Sequence, residues 1–160
     1  MQELAAAIAR GGLPACTGIS LGRNPGSPIP VIKSHLLQPA GHLQLSYSNV
    51  GWDDAQGAAL CEALRYAHAK GGLRKLKTLS LEFNRLGDAF VTSLVALLDE
   101  GGLASLETLE LRGNAISERG MQELAAAIAR GGLPACTGID LDENPGSDAP
   151  VQEALAQRQK

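Results

Sequence analysis

The sequence predicts an α/β array of repeating units, short strands alternating with helices, and three observations carry that expectation. Leu73, Leu103 and Leu133 lie 30 residues apart, as do Asn84, Asn114 and Asn144; self-similarity at a fixed period of roughly 20–50 residues marks a stacked array. Within each unit the apolar spacing switches from two residues to three and four, a strand period giving way to a helical one. Hydrophobic residues make up 44% of the 160-residue chain but aromatics only 3%, so the core is aliphatic.

Taken in chain order, the first unit is nearly a copy of a later one. Met1–Ser27 and Met121–Ser147 differ only at Ser20/Asp140, Gly22/Asp142 and Arg23/Glu143. The anchors of the first copy are Cys16, Ile19, Leu21, Asn24 and Gly26. Because Met1 corresponds to the mid-helix Met121, the chain begins inside a repeat. Pro28 and Pro30 precede a shortened helix at 31–37, and Pro39 follows it. A degenerate second unit is read as Ala40, Leu43, Leu45, Ser48 and Val50, with His42, Gln44 and Ser46 facing outward. Its helix, Ala55 to Ala69, makes the strand-to-strand spacing about six residues longer than elsewhere. The third and fourth units are regular: Leu76, Leu79, Leu81, Asn84, Leu86, then Leu106, Leu109, Leu111, Asn114, Ile116. The fifth reads Cys136, Ile139, Leu141, Asn144, Gly146, and Val151 and Leu155 anchor a polar tail.

Each spacing has a physical task. In Leu-x-Leu both leucines point the same way, because side chains alternate across a strand, so Leu79, Leu81, Leu109 and Leu111 are expected in the core. Where the chain turns after the strand, backbone groups are left unpaired, and an Asn side chain offers both a donor and an acceptor for them. Asn24, Asn84, Asn114 and Asn144 are therefore structural turn residues. Leu94, Leu97 and Leu98, or Leu124 and Ile128, then share a helical face. The Gly-Gly pairs at 11–12, 71–72, 101–102 and 131–132 stop the helices, since glycine accepts the left-handed conformation of a C-cap.

The L-x-x-L-x-L-x-x-N-x-L pattern, alternating with a helix of about 15 residues, resembles the leucine-rich repeat of the ribonuclease-inhibitor-like class. The resemblance implies a right-handed solenoid, a horseshoe arc with a parallel sheet on its concave face and helices on its convex face. It implies protein binding rather than catalysis. Residues 1–160 then form a single domain of about five strand units, with a C-terminal cap at 148–160. The N-terminal side either continues in further repeats or is covered by something else; an uncapped strand edge there would favour self-association.

Composition excludes several function classes. A formal charge of −3 argues against a nucleic-acid binder acting through a basic field. No apolar run reaches the length of a membrane span. Leu4–Ala9 could pass for a signal segment, but it recurs internally as Leu124–Ala129 and lacks a basic flank. Three cysteines without a Cys-x-x-Cys pair fit a reduced, cytoplasmic setting. His35, His42 and His68 lack partners at ligand spacing, so no metal is expected, and no cofactor either, since no glycine pair precedes a helix as a phosphate loop does. Cys16 and Cys136 stand where other units carry leucine and read as core filler. No Ser, Cys or Asp is arranged as an activated nucleophile, so no catalytic residue is expected.

The outward strand positions carry the remaining information. In register they form two columns, Glu82, Arg112, Asp142 and Ser80, Glu110, Asp140. The face is acidic with one embedded arginine: either an ordinary solvated surface or a dock for a basic patch on a protein partner. Trp52 and Tyr66 form a second candidate patch, although Trp52 also stands where it could pack over the turn at 50–51. The functional expectation is a non-enzymatic interaction scaffold, whether alone or within a larger sensor or regulatory protein. The alternative is a small-GTPase activator like the Ran GTPase-activating protein.

Overall fold

The computed structural model describes residues 44–158 and, for its backbone, the strand at 18–20. Five parallel strands stand side by side in chain order: β1 (Gly18–Ser20), β2 (Gln44–Ser46), β3 (Thr78–Ser80), β4 (Thr108–Glu110) and β5 (Gly138–Asp140). Helices α1 (Asp54–Ala69), α2 (Asp88–Asp99) and α3 (Glu118–Ala129) connect successive strands from β2 onward, and α4 (Ala149–Arg158) follows β5. Each helix packs on the next, and among the described residues no helix covers the other sheet face. That is the α/β leucine-rich-repeat architecture.

The core is the layer between sheet and helices. Leu79, Leu81, Leu109 and Leu111 are each fully buried, alongside Leu94 and Leu97 of α2 and Leu124 and Ile128 of α3. The helices start on caps that cross between repeats. Asp54 Oδ1 accepts from the Gly87 and Phe90 amides at 2.6 and 3.1 Å, and Asp88 Oδ1 from the Ser117 amide at 2.9 Å. Glu118 Oε2 likewise takes the Ser147 amide at 3.0 Å. The first acid of each helix thus serves the free N–H groups that open the next.

The helices end on their glycine pairs. After α2, the Gly101 amide donates to Leu98 O and the Gly102 amide to Leu97 O, both at 2.9 Å, the pairing that satisfies the last free carbonyls. Gly101 needs its positive φ of 75°, whereas Gly102 is required by proximity: a Cβ there would lie 2.1 Å from Leu97 Cδ1 and 2.8 Å from Leu97 O.

The second unit departs from the sequence register. The structure pairs Leu45, not Leu43, with Leu79, and Ile19 with Leu45. Read two residues later, the unit becomes Leu45-x-Tyr47, with Val50 in the asparagine place and Trp52 in the place of Leu86. The outward residues are then Gln44, Ser46 and Ser48, and the spacing from β2 to β3 is four residues longer than a regular repeat. Leu43 and Leu45 alternate as a Leu-x-Leu pair does, but Tyr47 and Trp52 take the leucine places. Their rings stack at 5.0 Å, with Tyr47 fully and Trp52 almost fully buried. Trp52 is therefore a core residue and not an interface anchor. The Tyr47 hydroxyl has no hydrogen-bond partner, and burial pushes its pKa up. Asn24, Cys16, His35, His42 and the helix expected at 31–37 lie outside the described residues.

Candidate functional site

Two groups of polar residues were expected to matter, and the turn asparagines come first. Asn114 Oδ1 accepts from the Leu86 amide at 3.0 Å, while Nδ2 donates to Leu81 O and Leu111 O, both at 2.9 Å. Asn84 does the same one unit earlier, accepting from the Val50 and Trp52 amides at 3.2 and 3.1 Å and donating to Tyr47 O and Leu81 O. Asn144 accepts from the Ile116 amide and donates to Leu111 O and Leu141 O. Leu81 O and Leu111 O thus each receive two asparagines. Asn84 and Asn114 are buried, whereas Asn144 is half-buried. All three asparagines are engaged with backbone and offer nothing to a ligand.

The open sheet face is the site where chemistry is free. The register places Ser80 beside Glu110 and Glu110 beside Asp140. The continuing ladder, with the Phe83 amide on Arg112 O and the Gly113 amide on Asp142 O, carries Glu82, Arg112 and Asp142 into the next column. Glu82, Glu110, Arg112 and Asp140 are half-buried and Asp142 is exposed. Ser80 departs from the outward reading: it is only 3% exposed, and its Oγ shares a 2.8 Å hydrogen bond with Ser48 Oγ. A short side chain between larger neighbours sinks below them, so Ser80 is floor and not contact surface.

The acids on this face repel one another. The Glu82 pKa is held above its ordinary value by desolvation first, then by the charges of Glu110 and Asp140, with Arg112 and a Ser80 hydrogen bond working against the rise. Arg112 is tied elsewhere. Its Nε donates to Glu143 Oε1 at 3.1 Å, and Nη2 contacts the same oxygen, which raises the arginine pKa. Asp140 Oδ1 accepts from the Asp142 amide at 3.1 Å.

Sequence reasoning missed two residues here. Glu143 was not an outward strand position, yet it lies on this face as the partner of Arg112, so all three differences between the near-identical copies now fall on one surface. Phe83 is the second. It is 47% exposed, has a φ of 52°, and lies under the Arg112 guanidinium at 5.8 Å. The available signal was an aromatic just before the turn asparagine, where the aligned residues are Gly113 and Glu143.

Other candidates are less developed. Tyr66 is 45% exposed on α1. A cleft of about 230 Å³ between the ends of α1 and α2 is lined by His68, Arg74 and Ser105 among others. Cys61 and Cys136 are free and buried, and burial pushes the Cys61 thiol up to about 12, so neither is a ready nucleophile. Among the described residues no group of three His, Cys, Asp or Glu could hold a metal, and no helix is long and apolar enough to cross a membrane.

These features describe an α/β fold of the leucine-rich-repeat type, and the comparisons find the same likeness. The family described as "Leucine Rich repeat" matches at residues 72–89 and 99–125. Among solved structures, the leiomodin-1 actin-binding site 2 is similar over 98% of this chain and 88% of its own, with a TM-score of 0.70 and 12% identity. The Caenorhabditis elegans tropomodulin C-terminal domain is similar over 98% of this chain and 92% of its own, with a TM-score of 0.71 and 12% identity. At that identity the likeness concerns the fold. No curated protein matches the chain in sequence.

Proposed function

We propose that the chain is a non-enzymatic scaffold of the ribonuclease-inhibitor-like class, working in the cytoplasm, which binds a protein partner carrying a basic patch on its open sheet face. The observation that carries this reading is the cluster of Glu82 with Glu110 and Asp140 of the neighbouring column, whose charges press on Glu82, on the sheet face that no helix covers among the described residues. Retaining charges that strain one another is costly to the free protein and favours a site over an idle surface. The class assignment is supported by a full helix between strands at the 30-residue spacing. The segment 148–160 acts as a C-terminal cap. Val151, Ala154 and Leu155 of α4 are buried, and Arg158 reaches back to Leu133 O at 2.7 Å.

The experiment is affinity capture with the chain and with a Glu82→Lys, Glu110→Lys, Asp140→Lys variant, the bound proteins then being tested one by one as purified components. A purified partner that binds the parent chain and loses the variant supports the reading; equal binding to both overturns it. The leiomodin-1 domain of similar fold is an actin-binding site, which makes actin a first protein to offer. The small-GTPase activator is the competing function. Accelerated GTP hydrolysis across a panel of small GTPases would favour it, and unchanged rates are expected.

A further inference from the structure

We propose that the partner enters this face as an extended segment in which a lysine or arginine stands next to a large apolar residue, the cation among Glu82, Glu110 and Asp140 and the apolar group on Phe83. The inference rests on the open-face reading and adds the chemistry of what docks there.

Phe83 is built as a platform. Left-handed backbone is uncommon for a bulky side chain, and its φ of 52° sets where the ring goes. The next repeat has glycine at the aligned position, and the ring lies directly on it: a Cβ at Gly113 would sit 2.5 Å from Phe83 Cδ1. Arg112 covers part of the ring at 5.8 Å. Nearly half of the side chain stays open, already positioned, so an incoming apolar group meets a surface that loses little freedom on contact.

The charge beside it is unspent. Arg112 is turned to Glu143, and at Glu82 desolvation together with the charges of Glu110 and Asp140 outweighs what it offsets. A partner cation relieves that repulsion as it binds. An independent observation points to the same spot. Over 27 residues the two near-identical copies differ only where this face carries Asp140, Asp142 and Glu143; the other copy has Ser20, Gly22 and Arg23. The helix, caps and core positions are unchanged between the copies, while one surface is made acidic in one of them. A protein segment, in which a charge and an apolar group sit side by side, fits this arrangement; a bare cation leaves Phe83 unused.

A displayed library of random peptides selected on the chain tests the proposal, the winning peptide then being titrated against the parent, Phe83→Asn, Glu110→Gln and, as a control on α1, Glu62→Gln. Asparagine tolerates positive φ, so Phe83→Asn keeps the turn, and thermal unfolding verifies it. The expected result is enrichment of Lys or Arg within two residues of a large apolar side chain. Affinity is expected to fall about tenfold in Phe83→Asn and in Glu110→Gln and to stay unchanged in Glu62→Gln. Basic peptides without an apolar neighbour, weakened by Glu110→Gln but not by Phe83→Asn, overturn the platform and leave the open-face reading standing. Peptides indifferent to both variants, or a library that yields no binder, overturn both.

Discussion

Replacing Asn114 with leucine, close in shape but without polar atoms, tests the turn argument most directly. The structure shows what the change strands. Leu86 N–H is left without its acceptor, inside the core. Leu81 O and Leu111 O each keep a second asparagine, Asn84 and Asn144 respectively, so neither is orphaned. One buried unpaired donor costs roughly 1–3 kcal/mol, and that is the expected loss. The same arithmetic ranks the series. Asn84→Leu strands two amides, Val50 and Trp52, and removes the donor to Tyr47 O, so its cost is expected to be about twice as large. Asn144 is half-buried, water replaces part of what is lost, and Asn144→Leu is the mildest. Urea denaturation with unchanged slope gives each value from the shift in midpoint. An Asn114→Leu loss below about 0.5 kcal/mol, or Asn144→Leu as costly as Asn84→Leu, refutes the reasoning.

Four further outcomes follow from the same geometry. Leu109→Ala empties a fully buried position and is expected to cost about 2–5 kcal/mol in the same denaturation assay. Tyr47→Phe removes a buried hydroxyl that has no partner and is expected to stabilise the fold by roughly 1 kcal/mol; a loss in melting temperature would argue for a partner to that oxygen. The Asp88 carboxyl is held below its usual pKa, first by the Ser117 hydroxyl and then by the Ser117 amide, so its stabilising contribution is full above the unfolded carboxylate range and lost as pH falls through the folded value. Asp88→Asn should flatten that part of the acid-stability curve. Glu82 is shifted the other way: its charge destabilises the fold at neutral pH, so Glu82→Gln is expected to raise the melting temperature at pH 7 and to converge with the parent below about pH 3.5, where the unfolded-state carboxyl of about 4.3 is mostly protonated too.

The strands and helices of units three to five were legible because identical spacing repeats, and each leucine of a Leu-x-Leu pair has one sterically suitable direction. Unit two was misregistered by two residues. There, two alternating patterns compete, and the true one runs through Tyr47 and Trp52, whose size only the packing against α1 reveals. The columns of the open face could be written from the register alone. Which members surface could not: Ser80 is drowned by its neighbours, Arg112 picks Glu143 over Asp142, and Phe83 becomes a platform only because Gly113 stands beside it. Inter-repeat helix capping by Asp54, Asp88 and Glu118 was equally invisible, since it joins residues about 30 positions apart.

The shared carbonyls make the asparagines a statement about cooperativity. Because Leu81 O and Leu111 O are each held by two units at once, neither unit can fray without freeing a group of its neighbour, and the coupling between adjacent repeats is strengthened relative to their intrinsic stability. The ladder has a beginning. With Val50 in the asparagine place, that position of the second unit has no amide with which to bridge toward the strand at 18–20. Hydrogen exchange should therefore find the amides from Asn84 onward opening together, in a single event of nearly global free energy, with a seam between β1 and β2 where the array parts first.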